Sequence, residues 1–437
     1  MLTISSSANS PAKPWPRRCR RLLVAWSLVS CASLTWASDW EYWSFGGHIK
    51  GQLLYGTYPE DSLFRLITGP NSGDLNSDIR LMASFQRAGW EVAADYQFIA
   101  RYGDTVELSR EFAALETVPG SVPTDELRWF NLTDVMVNEG KKVLLQRLDR
   151  LYVGYTGDRW VARFGRQVQS WGNGLVYQAM DFFNPFDPAA VDKEFKTGDD
   201  MLYGQYLRNN GDDVQLVGVV RRDADSGDVA ADASTLAAKY HGFLGEYEYD
   251  ALLARHYSDD IVGIGGNRAL GGAIWRGDVT LTRTDNDTVP LVVTSLSYSW
   301  VMAGKNVSGL VEYFYNGFGI ADGDYSPASL REHPDLTDRI GRGELYTLGR
   351  HYVVANMLIE MTPLFMLTPG LFTNLGDPSA LLQITGQYDL VQDLQLLAAL
   401  NLPIGPNGSE FGGIDSGIEG LYLSSGPSVF TQLAWYF

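Results

Sequence analysis

Cysteine is almost missing from this chain: Cys19 and Cys31 are its two cysteines, and both fall within the first 37 residues. The remainder therefore has neither a disulfide scaffold nor a cysteine-ligated metal. Acidic residues are missing from the first 38 positions, where Lys13, Arg17, Arg18, Arg20 and Arg21 precede the apolar run "LLVAWSLVSCASLTWA" at 22–37. Basic, apolar and then small residues, in that order, predict a secretory signal peptide over 1–37, cleaved near Ser38; the run is short for a bilayer span. "LVSC" at 28–31 also has the form of a lipoprotein box with Cys31 acylated, which cleavage after Ala37 removes. Loss of the leader takes five positive charges and moves the formal net charge from −18 to −23. So acidic a chain is no sequence-independent nucleic-acid binder, since that affinity comes from Lys and Arg neutralising phosphates.

A clean apolar span is missing too. The best candidate, "YVVANMLIEMTPLFMLTPGLF" at 352–372, carries Glu360 near its middle and is broken by Pro363 and Pro369. A charge at the bilayer centre costs about 2.5 to 3.5 kcal/mol on insertion scales, so this stretch reads as two strands joined at Thr362-Pro363. No linker, heptad or internal repeat divides the 38–437 region. The histidines are His48, His241, His256, His333 and His351, and none belongs to a G-x-S-x-G or H-E-x-x-H pattern. A barrel enzyme of the lipase or protease kind is thus the third reading, behind two transport readings. "RDADSGD" and "IADGDY" lack full EF-hand spacing and read as solvated loops, so no metal or cofactor is expected.

What the chain does have is alternation with a period of two. In "SDIRLMASFQRAGWEVAADYQFIARY", residues 77–102, Ile79, Leu81, Ala83 and Phe85 share one face, and Trp90, Val92, Ala94, Tyr96 and Phe98 share another beyond a turn at Ala88-Gly89. Tight turns recur at Gly157-Asp158, Asn210-Gly211, "FLGEY", "ALGG", "MAGKN", Thr362-Pro363 and residues 390–392. Between them lie long polar connections at 57–76, 103–145, 170–199, 223–232, 317–346 and 403–426, with shorter ones at "RTDNDTVP" and "NLGDPSA". Short turns alternating with long loops are the layout of an outer-membrane barrel. The expectation is an all-β, transmembrane, antiparallel up-and-down barrel of about 18 strands, 16–18 being compatible, with both termini periplasmic. The last residues, "SVFTQLAWYF", place Val429, Thr431, Leu433, Trp435 and Phe437 on one face. That terminal strand is similar to the one by which outer-membrane barrels are recognised for assembly, which gives Leu433, Trp435 and Phe437 that role.

In such a barrel the polar face lines the lumen. Its candidates are Arg80, Glu91, Asp95, Arg101, Arg163, Arg221, Glu246, Glu248, Asp250, Arg276, Asp278 and Glu312, of both signs. A barrel this wide holds an aqueous channel. Residues 164–206 form the densest local pattern: Arg166 and Gln167, then Trp171-Gly172-Asn173-Gly174, then Asp181, Phe182, Phe183 and Asn184-Pro185-Phe186-Asp187-Pro188. Solvated loops rarely carry so much apolar mass, so this segment packs either on the rim or inside the lumen as a constriction.

Gly165-Arg166-Gln167, Trp171-Gly172, Asp181 and Asn184-Pro185 resemble the "GRQ…WG…NP" segment of porin-like outer-membrane barrels, a broad group that includes alginate-export-type channels. The resemblance covers about forty residues and implies a monomeric channel with loops folded into its bore. It departs from polyuronate exporters in charge, because a conduit for an acidic polymer needs a lumen rich in Arg and Lys. The expected function is passage of polar solutes across the outer membrane, with a dedicated polysaccharide or lipid export conduit as the alternative. Expected partners are outer-membrane lipid and lipopolysaccharide, the barrel assembly machinery and, for the export alternative, a periplasmic transport partner.

Overall fold

The computed structural model describes residues 40–112, 122–224 and 226–437; the leader, with Cys31, lies outside them, as does part of the 103–145 connection. Contacts divide the chain into Met1–Ser44 and Phe45–Phe437. Of the first unit only a 3-10 turn at Trp40–Tyr42 and the first residues of one strand are described.

The second unit is built from strands in chain order: β1 (Trp43–Thr57), β2 (Asn71–Arg87), β3 (Trp90–Gly103), β4 (Thr133–Glu139), β5 (Lys142–Thr156), β6 (Trp160–Gln167) and β7 (Asp199–Leu207). Then come β8 (Asp213–Arg222), β9 (Val229–Leu244), β10 (Tyr247–His256), β11 (Asp259–Leu270), β12 (Ala273–Arg283), β13 (Thr288–Met302) and β14 (Lys305–Asn316). The rest are β15 (His351–Thr362), β16 (Phe365–Asn374), β17 (Ser379–Val391), β18 (Leu394–Ile404), the short pair β19 (Ile414–Asp415) and β20 (Tyr422–Leu423), and β21 (Ser428–Tyr436). Nineteen strands share one sheet, in which β4 is a flap on β5; the other 18 form a closed antiparallel barrel.

Turn chemistry sorts the two rims. At one rim, six hairpins turn in two residues. Ala88 and Gly89 (φ 50° and 82°), like Ala303 and Gly304 (φ 50° and 74°), have positive φ at both central positions, the geometry whose twist matches flanking strands. The other rim carries the long connections, at 58–70, 104–141, 168–198, 317–350 and 405–427. These contain helices α1 (Leu63–Thr68), α2 (Asp104–Glu111), α3 (Pro327–Glu332) and α4 (Pro334–Gly341), none of which the alternation pattern foretold. Several boundaries also differ from expectation. Strand β2 begins at Asn71, inside the expected 57–76 loop; β4 and the start of β5 lie inside 103–145; and a tight turn at Tyr257-Ser258 (φ 48° and 73°) joins β10 to β11 on the long-loop rim.

Side chains sort by face for a simple reason: with a period of two, one set meets lipid and the other the interior. Leu236 (69 % exposed), Ile264 (67 %) and their apolar neighbours cover the outside, while Trp90 against Tyr155 and Trp160 against Tyr206 sit beside the short turns as an interfacial aromatic belt does. Leu433, Trp435 and Phe437 are exposed on this outer face, and Gln432 and Ala434 turn inward.

Closure depends on β21 pairing with β1, from His48 opposite Tyr436 to Gly56 opposite Ser428. At the seam Gly47 donates its N–H to the Phe437 carbonyl at 2.9 Å. A Cβ on Gly47 would lie 2.3 Å from the Arg80 carbonyl and 2.9 Å from the Phe437 ring, whereas one on Gly51 of the same strand meets nothing within 4 Å. Gly47→Val is therefore expected to abolish the heat-dependent gel shift of a closed barrel, and Gly51→Val to keep it. Equal behaviour of the two variants would refute this account of the seam.

Candidate functional site

Segment 168–198, between β6 and β7, leaves the wall and runs through the interior. Its backbone is irregular, and three aspartates fix it by accepting N–H groups two residues on: Asp181 from Phe183, Asp187 from Ala189 and Asp192 from Glu194. The wall fixes its position. Trp171 donates its indole N–H to Gln215 of β8 at 2.7 Å. Asn173 donates to Asp278 of β12 at 2.7 Å and to Asp250 of β10 at 3.2 Å. Glu312 of β14 accepts three successive N–H groups, from Leu175, Val176 and Tyr177, at 2.8, 3.0 and 2.6 Å.

The far end of the segment meets other strands. Gln383 of β17 donates to the Ala189 carbonyl, Lys50 of β1 pairs with Asp192 and Glu194 at 2.7 Å each, and Tyr436 of β21 donates to Glu194 at 2.8 Å. Apolar packing supplements these ties. Trp171, Met180, Phe182 and Phe183 pack with Met201, Val217, Val219 and Leu252, and Val176 and Tyr177 pack with Val293, Phe314 and Tyr352. The apolar packing of the interior thus lies beside β7–β16, where buried carboxylates anchor the segment, and a network of arginines and carboxylates lies beside β1–β6.

That charged side centres on Asp149 of β5, with Arg80 at 2.9 Å, Arg147 at 3.3 Å and Arg150 at 2.6 Å. Arg80 also reaches Asp95 at 3.2 Å and lies over the Phe195 ring of the inward segment, 4.3 Å from its centroid. Arg163 stands 3.7 Å from Glu91, to which Tyr152 also donates. Arg101 is half-buried, and Arg276 donates to Ser297 on the neighbouring strand. Glu246 and Glu248 are exposed near the short-turn rim.

Several expected lining residues are not open to solvent. Arg166 is 1 % exposed, clamped between Asp200 at 2.8 Å and Asp125 at 3.0 Å, with a further donation to the Phe130 carbonyl. It fastens residues 122–130 to the wall, and its charge is spent on that fastening. Gln167 donates to the Met201 carbonyl, Trp171 is in the apolar packing, and Asp181 is bound by Lys196 at 2.6 Å. Arg221 pairs with Asp199. Asn184 does border open space.

The rim with the long connections holds groups that sequence patterns did not mark. Burial alone would raise the Glu344 carboxyl, but His256, Arg342 and Arg339 around it hold it down at about 2. Burial raises the Glu410 carboxyl to about 7, although Tyr352, the Leu348 N–H at 2.8 Å and Asn374 at 2.8 Å all donate to it. Asp377 and Tyr325 complete that cluster, which joins the 317–350 and 405–427 connections. Among the described residues, no group of three or more His, Cys, Asp or Glu is placed to hold a metal.

No protein-family model matches the sequence, and neither does any curated protein. Solved structures do. Acinetobacter baumannii OccAB2 is 9 % identical over 92 % of this chain and 99 % of that one, with a TM-score of 0.50. A BenF-like porin from Pseudomonas fluorescens Pf-5 is 8 % identical over 91 % and 99 %, TM-score 0.48, and a variant of the Rhodopseudomonas blastica porin is 8 % identical over 90 % and 100 %, TM-score 0.45. The fold is that of a porin-like outer-membrane barrel. At such identity the likeness extends to the fold alone.

Two outcomes follow from this geometry. Glu312→Ala leaves three N–H groups, two of them buried, without an acceptor, at on the order of 3 kcal/mol; hydrogen exchange at 174–178 should accelerate about a hundredfold while the barrel stays closed, and unchanged exchange there would refute the anchor. Glu410, whose folded value lies above its ordinary one of 4.5, stabilises the loop cluster fully below about 4.5 and loses that contribution as pH rises to about 7. Exchange at 345–352 and 405–413, corrected for intrinsic rates, should be faster at pH 8 than at pH 5, and Glu410→Gln should remove the difference.

Proposed function

We propose that this chain is an outer-membrane channel for small polar solutes, whose bore is narrowed by segment 168–198. The observation that carries this reading is the fastening of that segment, through Asp250, Asp278 and Glu312 on one side and Lys50 and Tyr436 on the other. An interior built only to be filled has no need of the charged wall at β1–β6, where Arg163 and Glu91 stay partly exposed; such a wall keeps water and polar solutes in the bore.

On this reading the short turns and both termini are periplasmic and the long connections face outward. The chain works as a monomer set in lipid and lipopolysaccharide. Leu433, Trp435 and Phe437 present the assembly signal, no nucleic acid takes part, and the role is transport and not catalysis. The constriction is formed by Asn173 and its neighbours with Asp278 and Glu312, and Arg80, Asp95, Arg101 and Arg276 shape the charge around it.

Planar-bilayer recording tests this. Deleting residues 173–190 should raise single-channel conductance several-fold and turn the pore cation-selective, because Asp278 and Glu312 then face the bore without their partners. Arg163→Glu should shift selectivity toward cations without changing conductance much. A deletion variant that folds, closes and conducts no better than the parent overturns the constriction.

A further inference from the structure

A second site lies at the outer mouth. Residues 123–124, 128, 147, 184–187, 195–197, 342–343 and 346 border a cavity of about 330 Å³, within the size range of small-molecule sites. Four cationic side chains border it, Arg128, Arg147, Lys196 and Arg342, against a single carboxylate, Asp187. Each cation has an acidic partner: Asp125 at 2.8 Å from Arg128, Asp149 at 3.3 Å from Arg147, Asp181 at 2.6 Å from Lys196 and Glu344 at 2.8 Å from Arg342. None of those four carboxylates borders the cavity. The charged side chains that border the cavity are thus mostly cationic, each already paired with a carboxylate outside its lining. Among the described residues, the Arg128 side chain makes one hydrogen bond, to Asp125, with Asp199 at 4.0 Å, and a guanidinium has five N–H donors.

Asn184 adds an independent observation. Its backbone sits at φ 54° although it is not glycine, and its buried Nδ2 has no hydrogen-bond partner among the described residues. A strained backbone and an unsatisfied buried amide are both unfavourable, and such features gather where a ligand is held. The same residue borders an adjoining pocket of about 170 Å³, which Arg128, Arg221 and Arg342 border together with the carboxylates Asp199 and Glu344. The remaining walls are flat and apolar, supplied by Phe186, Phe195 and Tyr346.

We propose that this cavity binds a small organic anion, a carboxylate or phosphate group on a flat apolar body, with Arg128 and Arg342 on the charged group and Asn184 donating to it. The proposal rests on the channel reading for its purpose, capture of a solute before it enters the bore.

Calorimetric titration of the full chain in detergent micelles tests this with phenylphosphonate as probe and benzyl alcohol, benzylamine and inorganic phosphate as controls. Expected are one site for phenylphosphonate, binding at least tenfold weaker for every control, and affinity that falls with salt. Arg342→Gln should weaken binding about tenfold and Arg342→Lys should restore most of it. Arg147→Gln, judged by the heat-dependent gel shift, replaces the first variant should that one fail to fold. Equal binding of benzylamine or of inorganic phosphate, or affinity unmoved in a folded variant, overturns the site. A chain that conducts yet binds no phenylphosphonate overturns this inference and leaves the channel; one that binds the probe yet never conducts overturns the channel and leaves the site.

Discussion

Backbone amides in hydrocarbon have no water to bond, so a sheet that crosses a membrane must leave no edge. Everything else in this protein is arranged around that requirement. Closing 18 strands produces an interior wider than one layer of side chains can fill. The interior must then be hydrated, packed, or both. This chain does both: apolar packing and anchoring carboxylates hold the inward segment beside β7–β16, and arginines and carboxylates form a network beside β1–β6.

Carboxylates perform two different tasks here. Glu312 and Asp278 act as acceptors for backbone N–H groups of a segment that has no regular secondary structure to satisfy them. That is how 31 residues without a helix or strand are held in one place within the barrel. Asp149, by contrast, gathers three arginines whose mutual repulsion would otherwise spread them apart. An acidic chain thereby keeps an interior whose local sign varies from wall to wall.

The barrel, its strand number and the inequality of its rims were legible because alternation and Gly-bearing turns are local signals. The turn at Tyr257-Ser258, which has neither glycine nor proline, carries no such signal. The alternation in "VLLQRLDRLYVGYT" already puts Arg147 and Asp149 on one face, and taking 142–145 as loop hid that pair. The inward carboxylates Asp250, Asp278 and Glu312 were legible as lumen residues; their role as anchors was not, because the partners lie 77 to 137 positions away in the chain. Arg166 illustrates the limit. Its place in a local motif was visible, but whether its charge faced water or two buried aspartates depended on a fold-back of residues 122–130.

Glu194, near the middle of the chain, touches both edges of the seam: Lys50 on the first strand and Tyr436 on the last. The strands on either side of that seam are joined by hydrogen bonds between residues about as far apart in sequence as the chain allows, the kind of contact that forms late in folding. A brace spanning it from the inside makes the last joint of the barrel conditional on an ordered interior. Filling the bore and sealing the wall are then a single cooperative event, and a barrel with its inward segment displaced is also one whose seam has lost its inner clasp.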